Sequence, residues 1–317
     1  MANVLIELSH PFFVLAPMDD VTDTVFRQLV ADCAAPDLFF TEFVNVDGLC
    51  SEGRERLIKR IEFTPKERPL IAQVWGKNPE NYRKMAAEFV EMGFAGVDIN
   101  MGCPQKTVVN NGCCSALIND RELAVAIIQA TQDGAAGKIP VSVKTRLGFN
   151  TVDFTWHELL LQQKLSMLTV HGRTRKEMSA VPAHWDLIGE VRKLRDKIAP
   201  ATLFVGNGDV LSREQGLALA NQYVLDGIMI GRGIFQDPFV FAEESPWSTY
   251  TRAQRIELYK RHIHLFATTW VRGERRVPML NKFCKIYING FDGAKELRER
   301  LMVAGTTDEL LSILESA

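Results

Sequence analysis

Residues 202–233 read TLFVGNGDVLSREQGLALANQYVLDGIMIGRG. An apolar run opens the stretch, breaks at Gly206, Asn207, Gly208 and Asp209, and gives way to helical spacing after Ser212. Ser212 has the short hydroxyl side chain that caps a first helical turn, and Glu214 and Gln215 follow it as good helix starters. A second apolar run, GIMI, ends in Gly231, Arg232 and Gly233. Strand, glycine loop, helix and strand make one β-α-β unit, which joins parallel neighbours.

Working outward, the same kind of run recurs as FFVLAPM (12–18), LFFTEFV (38–44), PLIAQVW (69–75), GVDINMG (96–102), PVSVKTRL (140–147) and MLTVHGR (167–173). With the two above, that makes eight. The runs are nearly continuous in apolar residues, as expected of strands covered on both faces. Helical segments lie between them: Asn78 and Pro79 open PENYRKMAAEFVEM with Gly93 as its stop, and Asn119 with Asp120 caps another. Eight such units within about 230 residues fit a (β/α)8 TIM barrel, an α/β fold. A doubly wound sheet usually has fewer strands.

After residue 244 the strand signal ends. ESPWST leads into IELYKRHIHLFATTW, KFCKIYINGF, AKELRERLMV and TDELLSILESA, all with helical patterning. The expected organisation is a barrel over 1–244 followed by a small C-terminal helical domain over 245–317.

The chain has 317 residues, 46% of them hydrophobic and 24% charged, which suits a globular protein and excludes collagen-like or disordered classes. MANVLIELSHPFF lacks the basic start of a signal peptide, and no run is long enough for a membrane helix, so a cytoplasmic, monomeric enzyme is expected. The net charge of -2 hides an asymmetry. Residues 1–244 carry 25 Lys or Arg against 31 Asp or Glu, whereas 245–317 carry 12 against 8. A basic end on an acidic body suggests a polyanionic partner. The six cysteines lack zinc-site spacing and the three close ligands of an iron–sulfur cluster. His262 and His264, two apart on a helix, face different ways, so no metal site is expected.

Barrel chemistry collects at the C-terminal ends of the strands. Here those ends hold Pro17, Met18, Gln73, Asn100, Cys103, Lys144, Arg146, His171, Arg173, Asn207, Gly208, Asp209, Gly231 and Arg232. Glycine pairs after the last two strands suit a phosphate held by backbone N–H groups and a helix start, with Arg232 adding charge. A lysine in the mouth suits a flavin that gains negative charge on reduction, and the Gln73 amide can face its polar edge. His171 could hold a ring carbonyl or orient substrate. Cys103, between Gly102 and Pro104, reads as a general acid, while Cys113 and Cys114 read as inert buried thiols.

The segments LAPMDDVTD, TEFV, AQVWG, VDINMGCPQKTV, VSVKTRLG, VHGRTR, GNGD and MIGRG resemble, in order and spacing, the tRNA-dihydrouridine synthases over residues 12–240. The resemblance implies FMN at the mouth, reduction by NADPH, and transfer of hydride to a uridine of tRNA. Pro17, Met18, Asp19, Gln73, Lys144, His171, Asn207, Gly208, Asp209, Gly231 and Arg232 would hold FMN. Asn100, Arg146 and Arg173 would lie near the uracil, and Cys103 would protonate its carbon 5 after hydride reaches carbon 6. Gln105, where many members have Ser, and GCCSA at 112–116, where many have GxxGA, depart from the pattern. The variable stretch KEMSAVPAHW (176–185) gives no assignable base contacts. The basic residues Arg252, Arg255, Lys260, Arg261, Arg275, Arg276, Lys282, Lys285, Arg298 and Arg300 are expected to grip RNA. A flavin barrel acting on a small molecule, such as a dihydroorotate-type dehydrogenase or an enoate reductase, is the alternative, and it has no use for that basic end.

Overall fold

The computed structural model describes residues 4–317; Met1 to Asn3, part of the segment read against a signal peptide, lie outside the described residues. Nine strands form one parallel sheet: β1 (Phe12–Leu15), β2 (Phe39–Phe40), β3 (Val44–Asn45), β4 (Leu70–Trp75), β5 (Gly96–Met101), β6 (Val141–Arg146), β7 (Met167–His171), β8 (Leu203–Asn207) and β9 (Gly227–Ile230). Their order runs β1-β9-β8-β7-β6-β5-β4-β2, and a parallel bridge from Val14 to Leu38 closes the ring. The (β/α)8 barrel read from the eight apolar runs is the observed architecture, with the C-terminal helices following it.

One run departs from expectation. LFFTEFV is split into β2 and β3, both paired with β4. Between them the Thr41 hydroxyl, rather than a ladder carbonyl, accepts the Gln73 N–H at 3.0 Å. Glu42, in the gap between the two short strands, is fully buried.

Period-two alternation builds the barrel interior in tiers. Phe12, Val14, Leu38, Phe40, Ile71, Met167, Val205 and Met229 pack into one apolar floor. Above it lie buried polar side chains, Gln73, Asp98, Ser142 and Thr169. Two residues further along β5, β6 and β7 come Asn100, Lys144 and His171, with Asn207 of β8 opposite His171. On β7 the succession is Met167, Thr169, His171, so a single strand carries floor, middle tier and mouth.

The helices begin where side chains can satisfy their first N–H groups. Ser212 accepts from Gln215 N at 3.1 Å, Asp120 from Leu123 N at 3.2 Å and Asn78 from Glu80 N at 3.0 Å, with Pro79 next and Gly93 as stop at φ 80°. Past β9, helix Arg252–Thr269 opens on a Thr251 and Gln254 capping box and packs on the first barrel helix, Thr24–Ala34. Phe26 meets the rings of His262 and Phe283 at 5.9 and 5.0 Å. Helices Val277–Asn281, Cys284–Tyr287, Ala294–Val303 and Thr307–Glu315 complete the region. Among the described residues, no helix is long and apolar enough to cross a membrane.

Candidate active site at the barrel mouth

Two adjoining cavities open at the C-terminal ends of the strands, of about 640 and 340 Å³. They share Pro17, Pro104, Lys144 and Arg146, so they are lobes of one mouth. Met18, His171, Arg173, Asn207, Gly208, Asp209, Gly231 and Arg232 line the larger lobe, and Asp19, Gln73, Asn100 and Cys103 line the smaller. Every site residue singled out in the sequence therefore comes to this mouth.

The wall built by the β8 and β9 loops is a cradle of main chain. Gly208 has φ 139°, and a Cβ on it would come within 2.6 Å of Ala183 Cβ; one on Gly233 would come within 2.4 Å of the Val210 carbonyl oxygen. Among the described residues, the N–H groups of Gly208, Asp209, Val210 and Gly231 donate to no acceptor in the chain. Free N–H groups on loops too tight for side chains suit a phosphate. The helix start expected here is only a 3₁₀ turn, Arg232–Phe235. Asp209 accepts from Arg232 at 3.2 Å, from Ala183 N at 2.9 Å and from Arg173, so its carboxylate organises the cradle.

Arg173 is 2% exposed, and its donors go to Val181 O, Asp209 and His171. These bonds hold its guanidinium in place on the wall of the larger lobe. A guanidinium only donates, so the 3.1 Å contact fixes His171 Nε2 as an acceptor and puts the imidazole proton on Nδ1. Burial and the charges of Arg146, Lys144, Arg173 and Arg232 hold His171 well below its ordinary pKa, hence neutral.

Lys144 stands between the lobes, and no chain acceptor pairs with its Nζ among the described residues. Burial and then Arg146 lower its pKa to about 8. The Thr169 hydroxyl, on the residue beside Lys144 in the β6–β7 register, is buried with no partner. An unpaired ammonium, an orphaned hydroxyl and an N–H cradle are what an anionic, ring-bearing cofactor such as FMN needs. Arg146 spans the opening: Nε donates to Gly102 O at 2.7 Å, and Nη1 to Thr174 O and Met178 O at 3.1 and 2.9 Å. It thereby ties the Cys103 loop to the 174–178 loop, which brings Met178 and Ser179, from the unassigned stretch, into the lining.

Cys103 is 9% exposed on the smaller lobe. Its thiol is drawn down to about pKa 7, chiefly by the neighbouring Cys114 thiol, against burial and with help from the Gln105 N–H and Arg146. Cys114 is fully buried and pushed well up, so it stays a thiol, yet it is more than the inert filler read from the sequence.

Asp19 faces the smaller lobe and pairs with Arg60. Arg60 also reaches Asp20 at 3.0 Å and Glu42 at 3.2 Å. Arg275, expected at an RNA surface, is instead buried here against Glu42 and Asp20. Its removal leaves Glu42 with Arg60 as its one ion-pair partner among the described residues, beside the Asp20 N–H that it accepts at 2.7 Å. Arg275→Ala is therefore expected to destabilise the fold by about 3 kcal/mol, the low end for a broken buried pair, measured by urea unfolding. Arg255, stacked 4.0 Å over Trp247, and Arg298, bonded to Ile288 O, are likewise structural. The side chains of Lys260, Arg276 and Lys285 make no ion pair or hydrogen bond among the described residues, and Arg276 and Lys285 are exposed.

A closed parallel barrel with its polar side chains at the strand ends places the chain among (β/α)8 enzymes. Morphinone reductase, in complex with tetrahydroNAD, shares the fold with a TM-score of 0.51 at 12% identity, over 76% of this chain and 90% of that one. The profile of Dihydrouridine synthase (Dus) matches residues 14–317. A probable tRNA-dihydrouridine synthase 2 of Bacillus subtilis is 48% identical over 98% of this chain and 94% of its own. A probable tRNA-dihydrouridine synthase of Staphylococcus aureus (strain COL) is 45% identical over 99% and 95%. The chain belongs to the dihydrouridine synthase family, enzymes that reduce uridine in tRNA.

Proposed function

We propose that this protein reduces one particular uridine of tRNA to 5,6-dihydrouridine, with FMN as hydride donor, NADPH as reductant and Cys103 as proton donor. One observation carries the reading: the phosphate-suited cradle and Cys103 open on lobes joined at Lys144. Bound FMN would supply hydride to carbon 6 of the uracil. Gly208, Asp209, Gly231 and Arg232 would hold its phosphate end, Pro17, Met18 and Asn207 its body, and Lys144, Gln73 and neutral His171 its polar ring edge. Asp19 would shape the smaller lobe from its pair with Arg60.

The chain's own chemistry then falls to Cys103. As a thiol it delivers its proton to carbon 5 and becomes a thiolate, which the Cys114 thiol and Arg146 stabilise. Asn100 and the unpaired Nη2 of Arg146, both on the smaller lobe's wall, would meet the base. A stacked uridine must first leave its helix, so an RNA-gripping surface is required beside the mouth. We assign that role to residues 245–317, acting in the cytoplasm on a monomeric enzyme that needs no metal.

Purified protein should be yellow, be bleached by NADPH, and raise the dihydrouridine content of unmodified tRNA. A colourless protein that takes up no FMN sinks the proposal. Alanine at Lys260, Arg276 and Lys285 together is expected to weaken tRNA binding and to lower the salt slope by roughly 2 to 3, since each phosphate contact contributes about 0.7 to 0.9. An unchanged slope would remove this face from the interface.

A further inference from the structure

An unbroken hydrogen-bond chain runs from the polar middle tier of the barrel to the loop that carries Cys103. The Ser142 hydroxyl donates to one Asp98 carboxylate oxygen at 2.6 Å, and Gln73 Nε2 donates to the other at 2.8 Å. Asn100 Nδ2 donates to Gln73 Oε1 at 3.0 Å. Asn100 Oδ1 in turn accepts the N–H groups of Gly102 and Cys103 at 3.0 and 2.9 Å. Asp98 and Gln73 are fully buried and Asn100 is 5% exposed, so no solvent competes for these bonds.

The direction of the chain has a physical origin. An amide can present either end, but an ionised carboxylate only accepts. An acceptor at Asp98 forces Gln73 to turn its NH₂ downward and its carbonyl oxygen toward Asn100. Asn100 must then offer its NH₂ to Gln73 and its oxygen to the Cys103 loop. One buried charge thus sets two amide orientations and the main chain of the proton donor.

We propose that Asp98 is a positioning residue, whose ionised carboxylate fixes the Gln73 and Asn100 amides and through them seats the Cys103 loop for proton delivery. The proposal rests on the functional reading above. It predicts that protonating Asp98 unlocks the chain, because a carboxylic acid can donate and Gln73 is then free to turn over.

Burial raises the Asp98 pKa to about 6, opposed by the bonds from Ser142 and Gln73 and by the charge of Lys144 on β6, the charged group whose field reaches it. The sign follows directly: the ordered state is complete above about pH 6 and is lost as pH falls through that value.

Two readouts test this on the flavin-loaded enzyme. The first is single-turnover dihydrouridine formation against pH. Wild type should show an acid limb near pH 6. Asp98→Asn, whose amide oxygen can still accept from Gln73 but does not titrate, should stay close to the wild-type rate at pH 8 and lose that limb. Ser142→Ala removes a bond that favours the carboxylate, so its limb should move to higher pH. Asp98→Ala should lower the rate by roughly 10- to 100-fold, the scale of a catalytic group misplaced by about 1 Å.

The second readout needs no turnover: alkylation of Cys103 by iodoacetamide at fixed pH 7, followed by peptide mass. Asp98→Ala should alkylate severalfold faster as its loop loosens, and Asp98→Asn should match wild type. If Asp98→Ala does not fold, the profiles of Asp98→Asn and Ser142→Ala decide. An acid limb that persists in Asp98→Asn, or a Cys103 whose alkylation ignores Asp98→Ala, overturns the relay. Wild type that forms no dihydrouridine in any tRNA overturns the functional reading instead, and the alkylation comparison still decides the relay.

Discussion

Cys103→Ala is expected to lower dihydrouridine formation by about 10²- to 10⁴-fold, the usual loss when a general acid is removed. The variant should still hold FMN and still be bleached by NADPH, because Cys103 lines the smaller lobe and the phosphate-suited cradle lines the larger. Rapid-scan absorbance separates the two half-reactions: reduction by NADPH at the wild-type rate, and reoxidation by tRNA nearly abolished. Reoxidation that survives in the alanine variant would take the proton donor's role from this thiol. A pH signature accompanies the prediction. The thiol titrates at about 7, and only its protonated form can give a proton, so the reoxidation rate should decline as pH rises through neutrality. Cys114→Ala removes the largest influence holding that value down, and should shift the decline to higher pH.

Lys144→Met is expected to act on the other half-reaction. Its ammonium stands where the two lobes meet and has no acceptor among the described residues, whereas Arg146 beside it is bonded to three loop carbonyls. Loss of a charge-assisted contact to an anionic cofactor is typically worth about 1.5–3 kcal/mol, or roughly 10- to 150-fold. The loss should appear as weaker FMN retention in equilibrium dialysis, slower reduction by NADPH, or both. Methionine keeps most of the side-chain volume, so unfolding in urea should change little. Normal FMN affinity together with a normal reduction rate would contradict the assignment.

Much of this was legible in the sequence, for identifiable reasons. Strand positions could be read because a sheet covered on both faces needs nearly continuous apolar runs, and seven of the eight runs hold as single strands. The eighth broke at Thr41, where a side-chain hydroxyl replaced a ladder carbonyl, and no periodicity foretells that substitution. Site residues could be placed because strand ends in a closed barrel converge on one mouth whatever the loops do. What each one touches could not be read. Arg173 and Arg146 could be placed at strand ends, but not their bonds to loop carbonyls nor, for Arg173, those to Asp209 and His171. Asp98, in plain view within VDINMG, drew no notice because a carboxylate in mid-strand is defined only by its cross-strand neighbours, Gln73 and Ser142. The basic C-terminal end was visible as a count, but a count does not separate Arg275, buried against Glu42, from Arg276 beside it in solvent.

The break between β2 and β3 bears on how such a protein can be taken apart. Through it Glu42 receives an arginine from the far end of the chain, and Lys282 bonds the Asp20 carbonyl on the neighbouring loop. The tail is therefore latched to the rim of the catalytic opening and is not an accessory strung behind it. Swapping tails between relatives to redirect them to another nucleotide would succeed only if Asp20, Glu42 and Arg60 travelled with the graft.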